Sequence, residues 1–130
     1  MSGDRAARYR IETEVSGEST LYTVRLEGTA SFGDISALLR ELDALSPTIV
    51  LLDESGLRPG LMSPGHIKEI AEQWRKAAAL RSARIAVFTP NLVIYGLNRM
   101  FQGLADAADR VRVFNSEADA RSWLLAPPPQ

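Results

Sequence analysis

The stretch from Thr48 to Pro64, TIVLLDESGLRPGLMSP, constrains the fold more than any other part of this chain. Thr48-Ile49-Val50-Leu51-Leu52 is a continuous apolar run that ends in Asp53 and Glu54. So short and uniform a run reads as a strand covered on both faces, as strands of parallel sheets are. Gly56, Pro59 and Gly60 punctuate a loop after it. Ser63-Pro64 then gives a helix start, a hydroxyl cap followed by proline at the first helical position.

The remaining chain repeats that strand–loop–helix unit behind a different lead-in. Tyr9, Ile11, Thr13 and Val15 alternate with charged residues, and Tyr22, Val24 and Leu26 do the same after the turn Ser16-Gly17-Glu18-Ser19. Two alternating runs around a short glycine turn predict an antiparallel hairpin. Ile35, Leu38, Leu39, Leu42 and Leu45 recur at helical spacing, with Ser31 as cap, Asp34 in the first turn and Ser46-Pro47 as the stop. Ile67, Ile70, Ala71, Trp74 and Ala78 form the apolar stripe of the next helix. Arg84 to Phe88 predicts a buried strand, Leu92 to about Ala105 a helix, and Val111 to Phe114 a short last strand. Ser116 caps a final helix with Asp119 at its third position, and Ala120, Trp123 and Leu124 turn inward. The expected order is β-β-α-β-α-β-α-β-α: an α/β fold with a mostly parallel sheet of four to five strands, an antiparallel hairpin entry and four helices. Residues 9–125 form one domain, with a flexible lead at 1–8 and a flexible proline-rich tail at 126–130.

Composition excludes several classes. The 130 residues carry a net charge of −1, and the basic residues are scattered, so neither nucleic acid nor an anionic membrane is indicated. There is no cysteine, which removes disulfides, thiolate nucleophiles and Cys-based metal sites. The charged start MSGDRAARYR does not read as a signal peptide, and no apolar run approaches the ~20 residues of a membrane-spanning helix. A soluble, cytoplasmic protein is expected. With a single histidine, His66, no metal-spaced His pair exists, and there is no GxSxG, P-loop or GxGxxG. No cofactor, metal or catalytic set is implied, and a non-enzymatic protein is expected.

The element order resembles the STAS domain, the fold of the bacterial SpoIIAA-like anti-sigma factor antagonists, over Tyr9 to Leu125. The segments ARIAVFTPNLVIYGLNRMFQGL and VRVFNSEADARSWL are similar to uncharacterised bacterial STAS-like proteins related in fold to CRAL-TRIO-type lipid carriers. In the antagonists, a serine at the start of the helix after the third strand is phosphorylated within an Asp-Ser-Ser-Gly-type motif. Asp53-Glu54-Ser55-Gly56 matches by eye, but a helix starting at Ser55 would run into Pro59-Gly60. The resemblance therefore implies Ser63 as the candidate phosphosite, within Met62-Ser63-Pro64-Gly65, where Met62 and Pro64 depart from the motif. The plain alternative is that Ser63 is an N-cap.

Other readings concern surfaces. Asp53 and Glu54 end a strand where open α/β sheets bind ligands, but adjacent extended residues point to opposite faces, so a shared two-carboxylate site is not expected. Arg58 in the loop is a candidate anion contact or simply solvated. In the helix over 92–105, Val93, Leu97, Met100 and Leu104 suffice as a docking stripe, which leaves Leu92, Ile94, Tyr95 and Phe101 outside it. If the strands lie in sequential order, all crossovers fall on one face, and a second subunit would cover the other. Two functions follow. One is a non-enzymatic interaction or regulatory module, expected as a homodimer with a protein partner, using Ser63, Met62, Arg58, Ile94, Tyr95, Asn98, Arg99 and Phe101. The alternative is a binder of an apolar small molecule or lipid, in a pocket of several hundred Å³ between the 92–105 helix and the sheet.

Overall fold

A computed structural model of the chain describes residues 8–29, 31–58, 60 and 62–126. The hairpin strands are β1 (Arg8–Ser16) and β2 (Ser19–Thr29), followed by α1 (Phe32–Leu45) and β3 (Ile49–Arg58). Next come α2 (Pro64–Lys76), α3 (Ala78–Arg81), β4 (Arg84–Phe88), α4 (Leu92–Ala105), β5 (Val111–Phe114) and α5 (Glu117–Leu125). The five strands lie in sequential order, β1 antiparallel to β2 and all later pairs parallel. The expected architecture stands, with one helix more. Residues 1–7 and 127–130 lie outside the described residues, and so do the expectations for them; Arg8 already pairs with Glu27 in the hairpin.

Sequential order with one hand of crossover puts α1, α2 and α4 on a single face of the sheet, called the front here. Val24, Leu26, Val50, Ile85, Val87, Val111 and Val113 point forward and share a core with Leu38, Leu42, Ala71, Trp74 and Ile94. The reverse face needs no second subunit over its apolar half. Leu21, Ile49, Leu51 and Ala86 are covered by Ala120 and Leu124 of α5, with Phe88, Phe114 and Trp123 at the margin. The guanidinium of Arg84 lies 4.3 Å from the Trp123 ring centroid and donates to the Trp123 carbonyl oxygen at 2.8 Å, pinning that helix. Toward β1 the reverse face is charged. Arg25 pairs with Glu12 and Asp53, and Arg121 of α5 reaches Glu14.

Two departures from expectation have identifiable causes. α2 stops at Lys76, so Ala77 rather than Ala78 is buried, and the separate turn α3 follows. Its N-terminal amides have no cap in their own segment; Asp43 of α1 supplies one, its Oδ1 accepting from Ala79 and Leu80 at 3.1 and 3.0 Å. The other departure is β3, which continues past Asp53 to Arg58. Arg25 pairs with Asp53 and Glu27 with Gly56, so β3 carries one extra residue across that step, a bulge opposite Leu26. Both Glu54 and Leu57 thereby face the front. A Cβ on Gly56 would lie 2.8 Å from the Leu26 carbonyl oxygen and 3.1 Å from Glu27 Cβ. Gly56→Ala must therefore push β2 and β3 apart, with an expected loss of about 1–3 kcal/mol. A urea unfolding midpoint equal to that of the parent protein would contradict this.

Candidate functional site

The front helices do not close completely on the sheet. Between α1, α2, α4 and strands β3–β5 lies a partly open cavity of about 110 Å³. Its walls are apolar: Ile35 and Leu39 from α1, Leu52 and Leu57 from β3, Ile67, Ile70 and Trp74 from α2, Ile94, Leu97 and Phe101 from α4. Met62 stands beside them, just ahead of α2. Trp74 and Phe101 meet edge to face, centroids 6.0 Å apart at 82°. Among the described residues, Glu54 and Asn98 bring the side-chain oxygens of the lining.

Each is placed by a specific local device. Asn91 caps α4, its Oδ1 accepting from Val93 and Ile94 at 2.9 and 3.0 Å, and so sets the rotation of the helix. That rotation turns Ile94, Leu97, Asn98, Phe101 and Ala105 toward the sheet. Val93, Met100 and Leu104, expected as the docking stripe, are exposed together with Leu92. Only Leu97 of that stripe belongs to the inner face. A polar residue at position 98 interrupted the true stripe in the sequence, and the exposed Val93, Met100 and Leu104 imitated one together with Leu97.

Alternation along β3 separates the carboxylates as expected. Asp53 points to the reverse face, 2.7 Å from the Arg25 guanidinium, and also accepts from the amide and hydroxyl of Ser55. Glu54 points into the cavity, where its Oε1 accepts from Asn98 Nδ2 at 2.8 Å. Burial pushes the Glu54 carboxyl up to about 7; the Asn98 hydrogen bond opposes this and the nearby Asp53 charge adds to it. The Trp74 indole N–H and the Ser36 hydroxyl are sealed from solvent without a partner among the described residues.

Of the surface set expected from sequence, Met62, Ile94, Asn98 and Phe101 line the cavity, while Tyr95 packs on the front core. Arg58 and Arg99 are exposed and outside the lining. Ser63 is the N-cap of α2: its Oγ accepts from the His66 amide at 3.1 Å, and His66 Nδ1 accepts from the Ser63 amide at 3.2 Å. His66 stacks on Phe32 at 5.2 Å. Ser55 lies within β3, so Ser63 is the serine at the helix start. Among the described residues no group of three His, Asp or Glu is placed to hold a metal. None of the described helices is long and apolar enough to cross a membrane.

No family model matches the chain, and no curated protein matches it. Solved structures do. An uncharacterised protein of the DUF3478 family with a SpoIIAA-like fold, from Shewanella loihica PV-4, is similar with a TM-score of 0.60 at 17% identity, over 95% of this chain and 98% of that one. An anti-sigma factor antagonist from Mycobacterium paratuberculosis gives 0.54 at 13% identity, over 92% and 96%. The fold is therefore SpoIIAA-like.

The raised Glu54 carboxyl has a thermodynamic consequence. The folded chain holds this proton up to about pH 7, whereas an unfolded one releases it near the ordinary value of 4.5. Stability from this group is thus complete below about pH 4.5 and is lost as pH rises through about 7, by roughly 3 kcal/mol. Urea titrations between pH 5 and 8 should show that slope in the parent and a flatter one in Glu54→Gln. Identical slopes would mean that Glu54 is not buried as described.

Proposed function

We propose that this chain is a non-enzymatic regulatory module that binds a small, largely apolar molecule in the front cavity. The cavity itself carries the reading. Apolar walls left facing a partly open space of about 110 Å³ forgo the stabilisation that burying them would give. An apolar chamber with two polar groups on its wall is the usual form of a ligand site. The volume is smaller than the several hundred Å³ expected for a lipid pocket, so the occupant is compact rather than a long acyl chain. The chemistry of catalysis finds no support around it: among the described residues Glu54 is the only titratable side chain on the wall. Small aromatic and branched aliphatic compounds should raise the melting temperature at millimolar concentration. Leu97→Trp, which fills the chamber, should remove that response. A flat thermal response across the whole set in the parent protein would refute ligand binding.

A second observation favours self-association through α4. Leu92, Val93, Met100 and Leu104 are 86%, 57%, 38% and 37% exposed on its outer face. Gly96 and Gly103 lie among them, and a Cβ on either would meet nothing within 4 Å. Each glycine weakens an isolated helix by about 1 kcal/mol relative to alanine, and the fold does not require them for its own packing. A flat, apolar outer face suits close approach of another helix, and the corresponding helix of a second copy would make a symmetric homodimer. The Mycobacterium neighbour, an anti-sigma factor antagonist, supports a protein-interaction role of the same general kind. Light scattering after gel filtration should give a dimer for the parent and a monomer for Val93→Glu. A monomeric parent at high micromolar concentration removes the homodimer.

A further inference from the structure

Apart from the Trp74 indole N–H, which is sealed from solvent, the unmatched polar atoms of the cavity are of one kind. Asn98 uses its side-chain N–H groups on Glu54 Oε1 at 2.8 Å and on the Ile94 carbonyl oxygen at 3.0 Å. Those contacts fix the orientation of the amide, since the reverse would set Oδ1 against the Ile94 carbonyl, acceptor against acceptor. Asn98 Oδ1 and Glu54 Oε2 are then left without a hydrogen-bond partner among the described residues. Neither is among the sealed, unpartnered polar atoms of the core, which are Ser36 Oγ and Trp74 Nε1. What the cavity offers a visitor is a pair of oxygens.

Among the described residues the lining supplies no positive charge to answer them. Glu54 is its one ionisable residue, and the residues facing it from α2 and α4 are Ile67, Ile70, Trp74, Ile94, Leu97 and Phe101, besides Asn98. Asp53, the next acid along β3, lies on the opposite face, and Arg25 is held there at 2.7 Å. Two aromatic rings, Trp74 and Phe101, stand in the same wall, and ring faces favour a cation.

We propose that the cavity selects a small hydrophobic amine, its ammonium group held by Glu54 Oε2 and Asn98 Oδ1 and its apolar body among the α2 and α4 side chains. The proposal rests on the ligand-binding reading above and adds the chemical class. An ammonium group brings three donors to two acceptors. A carboxylate or ketone head brings acceptors only, a hydrocarbon brings nothing, and an alcohol brings a single donor. The protonation balance is definite. In the empty protein at neutral pH much of Glu54 carries a proton; when an alkylammonium ion enters, the carboxyl ionises and that proton leaves to solvent. A cavity of about 110 Å³ is of the order of the engineered 150 Å³ void that takes benzene, so the body is one ring or a short branched chain.

The test is isothermal titration of the full chain at pH 7 with four molecules of matched shape: benzylamine, benzyl alcohol, toluene and benzoate. Benzylamine should bind at least about tenfold tighter than benzyl alcohol and toluene, with benzoate weakest. Its enthalpy should depend on the ionisation enthalpy of the buffer, as proton release requires, and its affinity should rise from pH 6 to 8 while that of benzyl alcohol stays level. Glu54→Gln should abolish the amine preference and keep the neutral ligands; if that variant does not fold, the pH and buffer dependence of the parent decides alone. Equal binding of benzylamine and benzyl alcohol, or an amine preference that survives in Glu54→Gln, overturns the amine assignment and leaves the cavity as a ligand site. Failure of all four to bind overturns the ligand reading as well.

Discussion

The pairing of β2 with β3 is the contact on which the rest of this structure depends. Up to Asp53 the two strands run in step, and every second residue of β3 supplies one of the two cores. At Glu54 the step changes, and the extra residue on β3 lets Glu54 and Leu57 both face forward. A glycine at 56 is what permits the strands to remain in contact past that point. Without the bulge, Leu57 would point to the reverse face and the cavity would lose part of its floor. The bulge thus links a backbone irregularity to the chemistry of the chamber, as bulges near binding sites commonly do.

The two faces of the sheet solve the same burial problem with different materials. Three long helices cover the front and leave a gap among large side chains; on the reverse, one short helix suffices because charged residues take over where it ends. Arg25 between Glu12 and Asp53, and Arg121 of α5 against Glu14, form ion pairs on a surface that the apolar side chains of α5 do not cover. Being partly exposed, such pairs contribute little to stability each, but they keep the hairpin end of the sheet wet. This explains why a sequentially ordered sheet with one-sided crossovers does not demand a partner on its back.

The strands, the succession of elements and nearly every helix start were legible because each rests on a signal local to its own segment. Ser31, Ser63, Asn91 and Ser116 all cap helices within three residues of themselves. What could not be read depends on residues far apart in the chain. The turn α3 owes its cap to Asp43, more than thirty residues earlier, so nothing in its own sequence announces it. The extension of β3 depends on β2 offering a place for a bulge. The inner face of α4 includes Asn98, whose partner Glu54 lies 44 residues away, and a polar residue without a visible partner reads as surface. The separation of Asp53 from Glu54 was legible, since strand alternation alone dictates it. That Glu54 would be enclosed was not, because enclosure is a property of three helices meeting.

The chain holds two tryptophans, and the fold has put one on each side of the sheet. Trp74 stands in the cavity wall against Phe101, while Trp123 sits under the Arg84 guanidinium on the reverse. Replacing either with phenylalanine leaves a single indole whose emission belongs to one compartment. The protein therefore carries a built-in pair of optical channels: one tuned to what enters the chamber, the other to the seating of the last helix, with five strands as the partition between them.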